Sequence, residues 1–357
     1  MDRGTVAVYE AGAAAYGDRR RADRTEAAAA FAARVPAGAV RLDLGSGPGL
    51  YLAHLGTPVV AADAAPAMVA EARRRHPGTP GVVCDLAALP VRRGGLGGVW
   101  ASKSLQHLAR EDLPLALAGV HDALAVGGRL EVTVFRGDGD EVTGPDDDFP
   151  GRRFTWWQPD PLADVLVGAG FGVEDLSVVD RPSAPPLAAR ATRLRTLPDT
   201  VGPGMRLLMC GLNPSLYAAD VGVGFARPGN RFWPALLAAG LARVPRAPRL
   251  ALRDHGIGMT DLVKRATVGA AELRVAEYRA GLARVSRLVA WLRPRAVCFV
   301  GLAGWRAAVD RRARPGVQAV GIGDVPVYVM PSTSGLNAAY PLASLVADLQ
   351  AAADLAG

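Results

Sequence analysis

Apolar positions in this chain fall into short runs, and the runs alternate with stretches of helical period. In the first half, the Ala-rich segment from Thr25 to Val35 reads as a helix and Ala39 to Leu44 as a strand ending in glycines. Val59 to Ala62 is a second strand, followed by a helix over about Ala65 to His76. Val82 to Cys84, Gly98 to Ala101 and Arg129 to Phe135 read as further strands, with a Gly- and Asp-rich loop from Gly137 to Pro150. Pro161 to Phe171 reads as a helix and Gly172 to Val179 as the last strand of this half. Strands alternating with helices predict a mostly parallel sheet covered by helices.

Arg181 to Gly204 carries five prolines and no clean period, which predicts a linker. Beyond it the alternation resumes. Strands are expected at Arg206 to Cys210, Ala296 to Val300 and Pro326 to Val329. Helices are expected near Phe232 to Ala242, Val275 to Leu292, Ala303 to Asp310 and Leu342 to Ala353, the second stopped by Pro294. No repeat of fixed period is visible. The length of 357 residues favours two domains. The expected organisation is α/β throughout, with a first domain over 1–180, a linker over 181–204 and a second domain over 205–357.

Charge sharpens this division. The net charge is +7, but from Leu197 to Gly357 there are 19 Lys and Arg against 10 Asp and Glu, and 22 against 24 elsewhere. An anionic partner is therefore expected for the second half alone. The excess of Arg over Lys is a compositional bias and does not explain the asymmetry. Cys84, Cys210 and Cys298 form no C-x-x-C pair and sit in or beside apolar runs, so neither a disulfide framework nor a metal site is expected. With no leader-like start and no bilayer-length apolar run, a cytoplasmic protein without a membrane partner is expected.

The strand ends carry the candidate chemistry. In the first half, Leu42-Asp43-Leu44-Gly45-Ser46-Gly47-Pro48-Gly49 is a strand running into a Gly-x-Gly-x-Gly turn, where a ligand can approach the backbone. Asp63 ends the next strand about 20 residues on, where an acid can hold ribose hydroxyls. Asp85-Leu86 follows the third strand, where an adenine amine could be read. From Tyr9 to Val179 this half resembles class I S-adenosylmethionine-dependent methyltransferases of the small-molecule type, including Leu105-Gln106-His107-Leu108 and the Gly127-Gly128-Arg129 turn. The resemblance implies a Rossmann-like sheet binding S-adenosylmethionine through Asp43, Gly45, Gly47, Gly49, Asp63, Asp85 and Leu86, with Tyr16 a candidate lid residue. The family's usual aspartate before the fourth strand is replaced by Gly97-Gly98, and no Asn-Pro-Pro-aromatic signature of DNA amino methylation is present, so the methyl acceptor is open.

In the second half two strands end in Gly211-Leu212-Asn213-Pro214-Ser215 and Met330-Pro331-Ser332-Thr333-Ser334-Gly335-Leu336. Removing a base from DNA needs a flipped nucleotide, a gripped base and a positioned water. Asn213 can hold a water, and Phe225, in Gly222-Val223-Gly224-Phe225-Ala226, can stack on a pyrimidine. Ser332, Thr333 and Ser334 can donate to phosphate, and Gly335-Leu336 offers an apolar wedge. Arg227, Arg231, Lys264 and Arg265 are candidate phosphate contacts. On spacing alone, Ser332 and Ser334 also fit as N-caps of the final helix, and an Asn-Pro is commonly a turn. Phe232 and Trp233 read as core.

These segments resemble the mismatch-specific uracil/thymine DNA glycosylases. Further landmarks are Gly224-Phe225-Ala226-Arg227-Pro228-Gly229-Asn230-Arg231-Phe232-Trp233, Gly258-Met259-Thr260-Asp261-Leu262-Val263 and Arg265-Ala266-Thr267. The resemblance covers about Arg206 to Leu349 and implies a glycosylase-type α/β sandwich without a cofactor. It implies catalysis by Asn213, base contacts from Phe225, Gly222, Ser215 and Ser332, and DNA contacts from Ser334 to Leu336. Its substrate would be duplex DNA with G·U or a related mismatch. Ser215 replaces the usual glycine, either crowding the pocket or capping the next turn. Ser332 follows the thymine-removing branch, so uracil, thymine and ethenocytosine all remain candidates. The other reading is a methyltransferase whose second domain binds DNA without catalysis.

Overall fold

The computed structural model describes residues 2–180, 185–337 and 339–357. The chain divides into two compact units, the main boundary falling between Leu194 and Arg195.

The first unit begins with α1 (Arg3–Arg19), whose first turn is closed by Asp2 accepting from the Thr5 amide, and α2 (Thr25–Arg34). Then follow β1 (Arg41–Leu44), β2 (Val59–Asp63), α3 (Pro66–Arg75), β3 (Gly81–Val83), β4 (Leu96–Ser102), α4 (Leu113–Ala123) and β5 (Leu124–Val134). A small hairpin of β6 (Asp140–Val142) and β7 (Arg153–Thr155) precedes α5 (Pro159–Gly168), β8 (Phe171–Val178) and β9 (Leu187–Arg193). The sheet order is β3-β2-β1-β4-β5-β9-β8, parallel except for β9, which runs antiparallel to both neighbours. Strand order reverses between β1 and β4, the switch point where doubly wound sheets bind ligands. The core against β1 and β4 holds Phe31, Leu55 and Trp100, all at most 1% exposed.

The expected linker is corrected here. Residues 181–184 lie outside the described residues, but Leu187 to Arg193 is a sheet strand. Thr200 then exchanges both backbone hydrogen bonds with Met259 in the second unit. The prolines of this stretch flank a strand, and its small alanines fit between β5 and β8.

The second unit runs through β10 (Leu207–Gly211), α6 (Leu216–Val221), α7 (Phe232–Ala238), α8 (Pro248–His255), β11 (Ile257–Asp261) and α9 (Val275–Leu292). It closes with β12 (Ala296–Val300), α10 (Leu302–Ala308), β13 (Gly316–Val317), β14 (Val327–Met330) and α11 (Leu342–Leu355). Sheet order is β11-β10-β12-β14-β13, with only β13 antiparallel. Phe232, Trp233 and Leu236 of α7 pack with Leu345 and Leu349 of α11 over Met209 and Met330. Burial of each large side chain contributes about 1.5–3 kcal/mol. The expected core roles of Phe232 and Trp233 are met, and Trp233 Nε1 also donates to the Gly224 carbonyl at 2.9 Å. Among the described residues no helix is long and apolar enough to cross a membrane.

Candidate functional site

In the first unit a cavity of about 540 Å3 opens at the switch point, within the usual size for a small-molecule site. Gly45 and Gly47 line it with φ of +73° and +52°. A Cβ on Gly45 would lie 2.2 Å from Ser104 Cβ, whereas one on Gly47 would meet only Tyr16, at 4.0 Å. The turn is therefore closed on the protein side and open toward the cavity. Asp63 lines the cavity at the end of β2, its Oδ2 and Oδ1 accepting from the amides of Gly47 (2.9 Å) and Ala65 (3.0 Å). Burial raises its pKa against those two hydrogen bonds. Leu86 and Tyr16 also line the cavity.

Three expected cofactor residues do not. Gly49 points into packing, since a Cβ there would meet Leu52 at 2.8 Å and His76 at 3.0 Å. Asp85 is exposed and accepts from the Ala87 amide, which turns the chain so that Leu86 faces inward. Asp43 is buried behind the turn, with Oδ2 lacking a hydrogen-bond partner among the described residues. Burial, with the charge of Asp63, pushes its pKa up to about 8.

The cavity's far wall is built by residues that no sequence motif groups together. Tyr9 on α1, His107 after β4 and Arg152 beside β7 meet there. His107 Nδ1 lies 2.7 Å from the Arg153 carbonyl, which can only accept, so Nδ1 carries the proton. Nε2 then accepts from the Tyr9 hydroxyl at 2.9 Å, and Tyr9 accepts from Arg152 at 3.1 Å. Burial lowers the His107 pKa to about 4, so the imidazole is neutral, and burial raises that of Tyr9. His107 lay in a quoted motif, but nothing in the sequence announces that α1 reaches it.

In the second unit, the carboxyl ends of β10, β11, β12 and β14 gather the landmarks. Asn213 follows β10. Its Nδ2 donates to the carbonyls of Pro214 (3.2 Å) and Arg265 (3.0 Å) and to Thr267 Oγ1 (2.8 Å). Two carbonyl acceptors fix the amide's orientation and leave Oδ1 without a partner among the described residues. Ser215 accepts from the Ala218 amide and caps α6, so of its two readings the cap is the one observed. Gly222, at φ +76°, ends that helix. Phe225 adopts φ +57°, rare outside glycine, and stacks on Phe232 with centroids 4.0 Å apart.

The cations depart from expectation. Lys264 Nζ lies 2.8 Å from Asp199 Oδ1, with both side chains nearly buried, so it is not a phosphate contact. Arg231 donates to the carbonyls of Tyr340, Ser334 (3.2 Å) and Asn337 (2.7 Å), bracing the loop after β14 from within. Arg265 pairs with Glu277 at 2.8 Å and donates to the Glu272 carbonyl. Arg227 is exposed, with no side-chain partner among the described residues. Ser332 and Ser334 do not cap α11, which begins beyond Pro341; their hydroxyls accept from the amides of Ser334 and Leu336 and shape the loop. At its tip Leu336 is 89% exposed, and Gly335 packs so tightly that a Cβ would lie 2.8 Å from the Gly229 carbonyl.

Comparison with known families agrees with both readings. Residues 198–355 match the model of the uracil DNA glycosylase superfamily, and residues 42–128 match that of a methyltransferase domain. Among solved structures the chain is similar to a 1,6-didemethyltoxoflavin-N1-methyltransferase of Burkholderia thailandensis, with 25% identity over 53% of this chain and 85% of that one and a TM-score of 0.42. It is also similar to the CcbJ methyltransferase of Streptomyces caelestis (18% identity, 52% and 98% covered, TM-score 0.44). An S-adenosylmethionine dependent methyltransferase of Mesorhizobium loti matches as well (21% identity, 47% and 100% covered, TM-score 0.39). The chain carries a methyltransferase domain followed by a uracil DNA glycosylase superfamily domain, both α/β.

Proposed function

From a uracil DNA glycosylase superfamily domain joined to a methyltransferase domain, we propose a DNA repair enzyme that hydrolyses the glycosidic bond of uracil mispaired with guanine in duplex DNA. The observation that carries this reading is the pinned amide of Asn213. With its N–H2 group held by two carbonyls and a hydroxyl, its free Oδ1 accepts a hydrogen bond from the attacking water and aims the water's lone pair at C1′, the water's proton passing to solvent. Because the leaving sugar approaches an oxocarbenium ion, a well-held water suffices without a strong base. Phe225 offers one ring face to the flipped base, the other being covered by Phe232. Exposed Leu336 fills the vacated base-pair space. Flipping costs a few kcal/mol, least at a mismatch, which favours G·U over a matched pair.

The first domain is proposed to bind S-adenosylmethionine. The open cradle at Gly47 and the amide-held carboxylate of Asp63 suit a ligand with ribose hydroxyls. When bound, it supplies an electrophilic methyl group. Gly45, Gly47, Asp63 and Leu86 would hold it, Tyr16 would cover it, and the aromatic wall with Tyr9 and His107 would receive an acceptor.

Single-turnover cleavage of a labelled G·U duplex, with alkali to break abasic sites, tests the glycosylase. Wild type should cleave G·U and spare G·C, and Asn213→Ala should lose excision at least about 100-fold while keeping abasic-site binding. Normal turnover by the variant would sink the mechanism. Tight G·U binding with no cleavage by wild type would favour a methyltransferase with a DNA-reading second domain.

A further inference from the structure

Asp261 ends β11 and is the register partner of Gly211 at the end of β10, two residues before Asn213. Its carboxylate makes no hydrogen bond among the described residues, although the residue is half-buried. A Cβ built on Gly211 would lie 2.5 Å from Asp261 Oδ1 and 3.1 Å from Phe225 Cζ. The carboxyl and the phenyl edge thus converge over Gly211, and only glycine there leaves room for both. Neighbouring cations do not answer this acid. Lys264 and Arg284 both pair with Asp199, and Arg284 touches Asp261 only at its backbone carbonyl, 2.8 Å away.

Resting on the glycosylase reading, we infer that Asp261 is a second catalytic group of this site, which in its acid form gives its proton to the departing base. The C1′–N bond breaks with its electron pair moving to the base. The water held by Asn213 forms the new bond to C1′ and releases a proton to solvent. Asp261 passes its own proton to a carbonyl oxygen of the base, which leaves neutral, and the carboxylate regains a proton from solvent. A carboxylate in the same place would repel the developing anion, so the acid is the competent form. Burial pushes the Asp261 pKa up to about 6, with Asp199 adding to that rise and Lys264 and Arg284 opposing it. The remaining titratable neighbour, Cys210 on β10, is a buried thiol pushed further up and stays neutral. The group therefore titrates where a general acid is most useful.

The test is single-turnover excision from G·U and G·5-fluorouracil duplexes between pH 5.5 and 8.5, by wild type, Asp261→Asn and Asp261→Ser. 5-Fluorouracil leaves as a more stable anion and needs less help from an acid. Wild-type rates on uracil should fall as pH rises above about 6, more steeply than on 5-fluorouracil. The Asn variant should lose that limb and fall roughly 100-fold on uracil, the size expected of a lost general acid, but clearly less on 5-fluorouracil. Equal losses on both bases, or a retained limb in either variant, would overturn the role of Asp261 alone. A wild type that excises neither base would overturn the glycosylase reading and this inference with it. Should neither variant fold, the two wild-type profiles decide, and coincident profiles would overturn it.

Discussion

Asp199 and Asp261 share the same two cationic neighbours, yet their pKa values move in opposite directions. Asp199 takes Lys264 at 2.8 Å, Arg284 at 2.7 Å and the Thr260 hydroxyl at 2.7 Å. Burial opposes its ionisation, but Arg284 and Lys264 outweigh burial and hold its pKa below the usual carboxylate value. Asp261 is left with none of these partners and is pushed the other way. The difference teaches that location beside arginines does not make an acid structural. What decides is whether its lone pairs are already occupied. Asp43 of the first unit belongs with Asp261 by that criterion, and both acids lie on strands next to a proposed site.

The most severe way to break the comparison is to remove Asp199. Asp199→Ala strands two cations in the core, and thermal melts should show the second unit destabilised by about 3–5 kcal/mol. A loss under about 1 kcal/mol would mean that the network is solvated. Because the folded pKa of Asp199 is lowered, its contribution is present above the ordinary value of 3.8 and disappears as pH falls through the folded value.

Asp43 should behave inversely. Its folded pKa is raised to about 8, so the protonated form is favoured by folding and the first unit loses stability as pH rises from about 4 to about 8. Asp43→Asn should flatten that dependence in denaturant titrations at pH 5 and pH 8, and an unchanged slope would place the acid in water. A smaller effect is expected on the far wall. Tyr9→Phe leaves His107 Nε2 and one Arg152 donor without a partner, which costs about 1–3 kcal/mol. A variant as stable as wild type would show that water replaces the hydroxyl.

Much of this was legible in sequence because strand ends announce themselves. An apolar run that stops at Gly45 or Asn213 fixes where a parallel sheet presents its polar groups. Pairing was not legible. Lys264 and Arg231 looked like phosphate contacts because sequence shows a charge but not its partner. The strand Leu187–Arg193 was hidden between prolines, and β11 was passed over because Ile257-Gly258-Met259-Thr260-Asp261 is short and carries a glycine. Helix α1 lacks a strong apolar stripe, so its delivery of Tyr9 to the first cavity had no sequence signal. Asp261 stood in a quoted landmark, yet its isolation depends on Asp199, 62 residues earlier, having claimed both cations.

The internal engagement of Arg231, Lys264 and Arg265 has a thermodynamic signature in solution. Each phosphate neutralised by a free cation releases condensed counterions, so the logarithm of the association constant falls with the logarithm of salt by about 0.9 per contact. Four phosphate contacts would give a slope near −4, whereas Arg227 alone among these residues gives one near −1. Arg227→Ala should therefore reduce the measured slope by about one, and Arg265→Ala should leave it unchanged. Of these four cations, only Arg227 would then add to the salt dependence of duplex binding.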